Sequence, residues 1–197
     1  MLNNTQLQLL KFKKFVAQQS RSRLSKLKMN DSKGLYKKLD GVLTVNPNRM
    51  TLKWDLGYGA FQDKGVKGAD PSKVSPNAQI TGQQAPNSPY RFGTGSARGK
   101  WGQFVASLEK WAKRKNLRLR EFKTVNGKKV STGKYVKGNY KSIAYVVASN
   151  IYNRGLKPSL FFTKPFEQGF KKLPDELLEA YGLDVEEFLK YTLKQQR

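Results

Sequence analysis

The chain has 197 residues, 38% hydrophobic and 12% aromatic, which is enough for one domain with a packed core and short for two independent ones. It has no cysteine and no histidine. Disulfides, thiolate metal sites, iron–sulfur clusters and cysteine nucleophiles are therefore excluded, and the usual general base and commonest metal ligand are absent. Its 38 basic and 14 acidic residues give a formal net charge of +24, a field that attracts polyanions and opposes compaction unless a partner neutralises it. Nucleic acid and an acidic protein surface suit that field equally. No stretch approaches the roughly 20 apolar residues of a membrane span, and the first residues lack the features of a signal peptide, so a soluble protein working inside a cell or particle is expected.

Along the chain, the spacing of Leu9, Phe12 and Val16 predicts an amphipathic helix over residues 4–28, with Lys11, Lys13, Lys14, Gln18 and Gln19 on its other faces and Thr5 as N-cap. Asp31-Ser32-Lys33-Gly34 interrupts it, and a short helical or turn segment follows around residues 35–39. Val42–Val45, Asn46-Pro47-Asn48 and Met50–Leu56 predict a β-hairpin, because Met50, Leu52, Trp54 and Leu56 alternate with Thr51, Lys53 and Asp55. Residues 64–100 are rich in Gly, Pro, Ser, Asn and Gln, lack periodicity, and read as an exposed arm reaching a neighbouring subunit. Tyr90 and Phe92 are its candidate oligomer contacts.

Trp101, Phe104, Val105, Leu108 and Trp111 share one face of a further helix. A very basic hairpin is expected over residues 117–137, turning at Asn126-Gly127, followed by a helix over 140–153 with Ile143, Val147 and Ile151 in one stripe and Gly155 at its end. The C-terminal part reads as short helices: Thr163 caps one holding Phe166 and Phe170, Pro174 opens the next, and Asp184 with Glu187 forms a capping box for the last. Residues 173–197 form an acidic corner on a basic body, a combination suited to head-to-tail assembly, although acids near helix starts also complement the helix dipole. The expected architecture is one α+β domain over residues 1–197: a small antiparallel sheet packed with helices, plus the extended arm. Its core would be built from Leu9, Phe12, Leu52, Trp54, Phe104, Trp111, Ile143, Val147 and Phe166.

No catalytic, cofactor or metal site is expected. Gly93–Lys100 has the wrong glycine spacing for a phosphate-binding loop, with Trp101 where a magnesium-binding hydroxyl belongs. Asp55, Asp63 and Asp70 stand isolated, and the remaining acids are not spaced for paired-carboxylate or two-metal hydrolysis. Lys110, Lys113, Arg114, Lys115, Arg118, Arg120, Lys128 and Lys129 are candidates to face DNA or an acidic partner. Asp175, Glu176, Glu179 and Glu186 join Tyr90 and Phe92 as candidate oligomer contacts. Trp101 and Trp111 border the basic run, where they could stack on bases, but their helical spacing favours the core.

The segment order resembles the tail-completion, or head–tail connector, proteins of tailed bacteriophages. The resemblance rests on Gly34-Leu35, the hairpin over 42–56, Tyr58-Gly59-Ala60-Phe61 and Asp63-Lys64-Gly65, and then on Phe161-Phe162 and Pro165-Phe166, together about a third of the chain. The long basic stretch 64–135 departs from the pattern. The resemblance implies a non-enzymatic structural protein of the virion neck, made in the host cytoplasm. It would have a small α+β fold and form rings with copies of itself and with other neck, portal or tail proteins, around a channel through which DNA passes. The alternative is a soluble, sequence-nonspecific nucleic-acid-binding protein.

Overall fold

The computed structural model describes residues 3–29, 33–46, 49–74, 78, 80–94, 101–136 and 139–195. In chain order they form α1 (Asn3–Lys26), α2 (Gly34–Lys38), β1 (Val42–Asn46), β2 (Arg49–Lys53), α3 (Gly59–Lys64), β3 (Val66–Lys67), a 3-10 turn (Pro71–Lys73), α4 (Trp101–Arg114), β4 (Leu119–Val125), β5 (Lys128–Val136), α5 (Tyr140–Arg154), β6 (Gly155–Leu156), α6 (Thr163–Phe170) and α7 (Leu173–Gln195). The fold is α+β, with three two-stranded antiparallel sheets, β1–β2, β3–β6 and β4–β5. The sequence reading took residues 1–197 as one domain. The chain divides into two compact units, one of Met1–Asp63 with Ser159–Arg197 and one of Lys64–Pro158.

In the first unit, α1 buries Phe12, Val16, Ala17, Ser20 and Leu24, a stripe set by the four-residue spacing of its apolar positions. Phe12 and Val16 pack with Leu173 of α7 and with Leu52, Trp54, Phe162 and Phe166, while Leu24 packs with Leu35, Leu39 and Phe161. Phe12 meets Trp54 edge-on at 5.9 Å and Phe166 at 5.5 Å between ring centroids, and Phe166 stacks on Phe170 at 5.6 Å. Such pairs add about 0.5–1.5 kcal/mol each beyond the apolar area they bury. Pairing in β2 ends at Lys53, but the predicted alternation continues to Leu56, with Met50, Leu52, Trp54 and Leu56 half-buried and Thr51, Lys53 and Asp55 exposed. Pro47 and Asn48 of the predicted turn lie outside the described residues, as do residues 30–32 of the predicted break after α1.

Two carboxylates from distant parts of the chain cap helices in this unit. Asp63, 1% exposed, accepts from the amides of Phe162 at 2.7 Å and Thr163 at 3.2 Å and from the Thr163 hydroxyl, so the start of α6 is satisfied by Asp63 and not by Thr163 as N-cap. Asp184 does the same for α1. It accepts from the amides of Asn4 and Thr5 at 2.8 and 2.9 Å, so Thr5 lies in the first turn as a donor, not at the N-cap. In place of several short C-terminal helices, residues 173–195 form one helix of 23 residues. Pro174 sits in its first turn, where no intrahelical donor is lost, and the predicted capping box at Asp184 is interior because that carboxylate points to α1.

In the second unit, Val105 of α4 packs against Ala144 and Ala148 of α5, small residues that let the helices approach, with Phe104 and Leu108 alongside. The segment expected as an arm is anchored through its backbone over its described part, residues 64–74, 78 and 80–94. The amides of Ala69, Asp70 and Gln84 donate to the carbonyls of Tyr152, Asn153 and Arg154 at 2.9, 3.1 and 2.7 Å, and so satisfy the otherwise orphaned C-terminal acceptors of α5. Gly155 terminates α5 as expected, with φ of 94°, and a side chain there would overlap the Val66 carbonyl across the β3–β6 pair. In the β4–β5 hairpin, Asn126 and Gly127 have φ of 50° and 75°, the left-handed pair that a tight two-residue turn requires.

Candidate functional site

The second unit carries 20 basic residues against 3 acidic ones, Asp70, Glu109 and Glu121. Its basic residues concentrate where α4 runs into the β4–β5 ribbon. Lys110, Lys113 and Arg114 occupy the last turns of α4, and the amides of Lys115, Asn116 and Leu117 close that helix on the carbonyls of Trp111, Lys113 and Ala112 at 3.0–3.1 Å. Lys115 and Arg118 follow on the connection, Arg120 falls in β4, and Lys128 and Lys129 open β5 opposite Val125 and Thr124. Lys110, Arg114, Lys115, Arg118 and Lys128 are exposed, and Lys113 is exposed while pairing with Glu109 at 2.9 Å. The fold thus brings all eight predicted basic residues onto one helix end and the ribbon that continues from it. Such a concentration of positive charge attracts polyanions irrespective of their sequence.

Of the tryptophans beside this surface, Trp101 sits in a partly exposed aromatic group and is itself 39% exposed, so it does not take the core position its helical spacing favoured. Trp101 lies edge-on to Phe104, Tyr145 and Tyr152 at 6.0, 5.9 and 5.7 Å, and Trp111 is half-buried. Phe92 joins the same group, 5.6 Å from Tyr152, and its amide donates to the Lys67 carbonyl, while the Tyr90 carbonyl accepts from the Lys67 amide at 2.8 Å. Both residues are half-buried and held within their own unit. Phe92, Trp101, Phe104, Tyr145 and Tyr152 thus form a partly exposed aromatic layer in this unit.

Next to that layer is an open cleft of about 530 Å³ lined by Asp70, Lys73, Arg91, Phe92, Tyr152 and neighbouring residues. Asp70 is engaged inside it: the Ser72 hydroxyl at 2.5 Å and the Lys73 ammonium at 3.3 Å hold its carboxyl below the ordinary aspartate value. Among the described residues there is no group of three or more Asp or Glu placed to hold a metal ion. Residues 95–100 of the glycine-rich loop lie outside the described residues.

The predicted acidic contacts fall on α7 in the first unit, where Asp175, Glu176, Glu179 and Glu186 are all exposed. The Lys190 ammonium contacts Glu186 at 2.5 Å and holds its carboxyl below the ordinary value. Over Leu173–Gln195 six acids face two lysines. One feature of α7 went unread in the sequence: Leu178, Tyr181, Val185 and Phe188, spaced three, four and three residues apart, are all exposed. The spacing was visible, but dividing the segment into short helices concealed it.

Among the described residues no helix is long and apolar enough to cross a membrane. Comparison of the chain with protein-family models, with curated proteins and with solved structures finds no match.

Proposed function

We propose that this chain is a non-enzymatic, ring-forming subunit of the neck of a tailed bacteriophage virion, in its head–tail connector or tail-completion complex. It assembles with copies of itself and with other neck, portal or tail proteins, around a channel that passes double-stranded DNA. The observation that carries this reading is the division of charge: a unit with 20 basic and 3 acidic residues, and in the other unit a helix with six acids, five of them exposed, and two lysines. Opposite surfaces on one chain favour head-to-tail contacts between copies, which close into rings when the rotation permits. The surplus positive charge suits a wall facing the DNA backbone.

The two stretches that carry the resemblance also support it, because they pack together in the first unit. Leu35 and Phe161 share one buried cluster, and a side chain at Gly59 would overlap Leu35 beside Phe161. Asp63 bonds to Thr163 a hundred residues on. Light scattering of the purified chain, with and without duplex DNA and at two salt concentrations, tests the proposal. Discrete oligomers without DNA are the expected result. A single-chain mass that rises only with DNA and falls again in salt would favour the sequence-nonspecific nucleic-acid-binding reading instead, which the basic ribbon also suits.

A further inference from the structure

Helix α7 has three faces. Leu173, Leu177, Ala180 and Asp184 point toward the body of the first unit: Leu173 and Leu177 pack beside Phe12 and Val16, and Asp184 reaches Asn4 and Thr5. A second face carries Asp175, Glu179 and Glu186. The third carries Leu178, Tyr181, Val185 and Phe188, exposed by 72, 52, 38 and 63%. Their three-four-three spacing is the seam by which one helix packs on another. Four large apolar side chains in a row amount to a patch on the order of several hundred Å², more than a lone soluble helix exposes without a partner.

Charge selects the occupant. Two α7 helices set face to face would bring five exposed acids and two lysines against the same set, so a two-fold α7–α7 pairing is electrostatically opposed, and a nucleic acid is repelled for the same reason. The basic complement lies in this chain's own second unit. There the exposed face of α5 sets Lys141 one turn from Tyr145, which is 56% exposed beside Val146 at 50%. That face is apolar at Tyr145 and Val146, with Lys141 as its basic rim.

We infer that the Leu178–Phe188 seam of α7 docks on the Lys141–Tyr145–Val146 face of α5 in a second copy of this chain. This makes the contact head-to-tail, and the inference rests on the self-assembly reading above. Burial of the seam supplies the affinity, while the acidic flank against the basic rim sets orientation and makes the contact weaken as salt rises.

Light scattering of the full chain and two variants tests it. At about 0.1 M salt the unaltered chain is expected as discrete multiples of 22.4 kDa, whereas Leu178→Asp with Phe188→Asp, and separately Tyr145→Asp, each fall to the mass of one chain while still melting cooperatively as folded proteins. Mixed, the two variants are expected to reach the mass of two chains and stop, because each keeps one competent face. Assembly of Tyr145→Asp alone would overturn the inference in favour of α7–α7 pairing. Full assembly of the Leu178→Asp, Phe188→Asp variant would overturn the seam and leave self-assembly standing. An unaltered chain that stays at 22.4 kDa would overturn both. Since the chain has no cysteine, Phe188→Cys and Tyr145→Cys chains mixed under oxidation give an independent reading. The mixed disulfide is expected to dominate, and homodisulfides alone would count against the contact.

Discussion

Asp184, in the middle of α7, accepts hydrogen bonds from the amide of Thr5 at 2.9 Å and from its hydroxyl at 2.7 Å, across 179 residues of sequence. The carboxylate takes the place of an N-cap for α1 and ties the start of that helix to the middle of α7. Burial of Asp184 acts to raise its pKa. The hydrogen bonds from Thr5 and Asn4 outweigh it and leave the carboxyl below the ordinary aspartate value. A folded pKa below the unfolded one contributes stability above about pH 4, and that contribution is lost as pH falls through the folded value. Urea unfolding from pH 7 to 3 is expected to show stability falling below about pH 4, and Asp184→Asn to flatten that fall. At pH 7 Asp184→Ala is expected to cost about 1–2 kcal/mol, the value of a lost cap.

Asp63 makes a stronger demand because its side chain is almost wholly enclosed. Replacing it with alanine leaves two amides and a hydroxyl at the start of α6 without their acceptor, at a cost of about 3 kcal/mol. Asp40→Ala is the control. Asp40 pairs with Lys13 at 3.3 Å but is largely exposed, so its loss is expected to cost under about 1 kcal/mol. Urea denaturation followed by tryptophan fluorescence compares the two.

The helices and hairpins were legible because their signals are local: three- and four-residue spacing in α1, α4 and α5, strict alternation around Leu52, and Asn126-Gly127 at a turn. The roles of Asp63 and Asp184 were not, since each carboxylate finds its donors a hundred residues or more away, beyond any local pattern. Residues 64–94 lack periodicity for a related reason. Their described part is held by backbone bonds to the end of α5 and by bonds such as that from the Ser88 hydroxyl to the Gly65 carbonyl, none of which leaves a sequence period. Of the predicted contacts, the eight basic residues gather on α4 and the ribbon and the acids lie exposed on α7, whereas Tyr90 and Phe92 are held within their own unit.

Gly155 tests that backbone account. Its φ of 94° and the close Val66 carbonyl leave no room for a methyl group, so Gly155→Ala is expected to destabilise the second unit by about 2 kcal/mol or more. Hydrogen exchange locates the damage. The amides of Ala69, Asp70 and Gln84, bonded to the last carbonyls of α5, should lose protection in the variant, while the amides of Asn4 and Thr5 in the other unit keep theirs.

The basic ribbon makes a quantitative prediction about DNA. Lys110, Lys115 and Lys128 are exposed and spread from the end of α4 to the start of β5, so they can meet separate phosphates. Each phosphate contact contributes about 0.9 to the slope of log affinity against log salt for duplex DNA, whatever the base sequence. Changing all three lysines to glutamine is therefore expected to weaken duplex binding equally for unrelated sequences and to reduce that slope by about 2.7. Thermal stability should stay within about 0.5 kcal/mol, since exposed side chains away from the core are removed. Fluorescence anisotropy with two duplexes of unrelated sequence, titrated across a salt series, gives the slope directly. An unchanged slope would mean that the positive surface meets an acidic protein in the assembly and that DNA is held elsewhere.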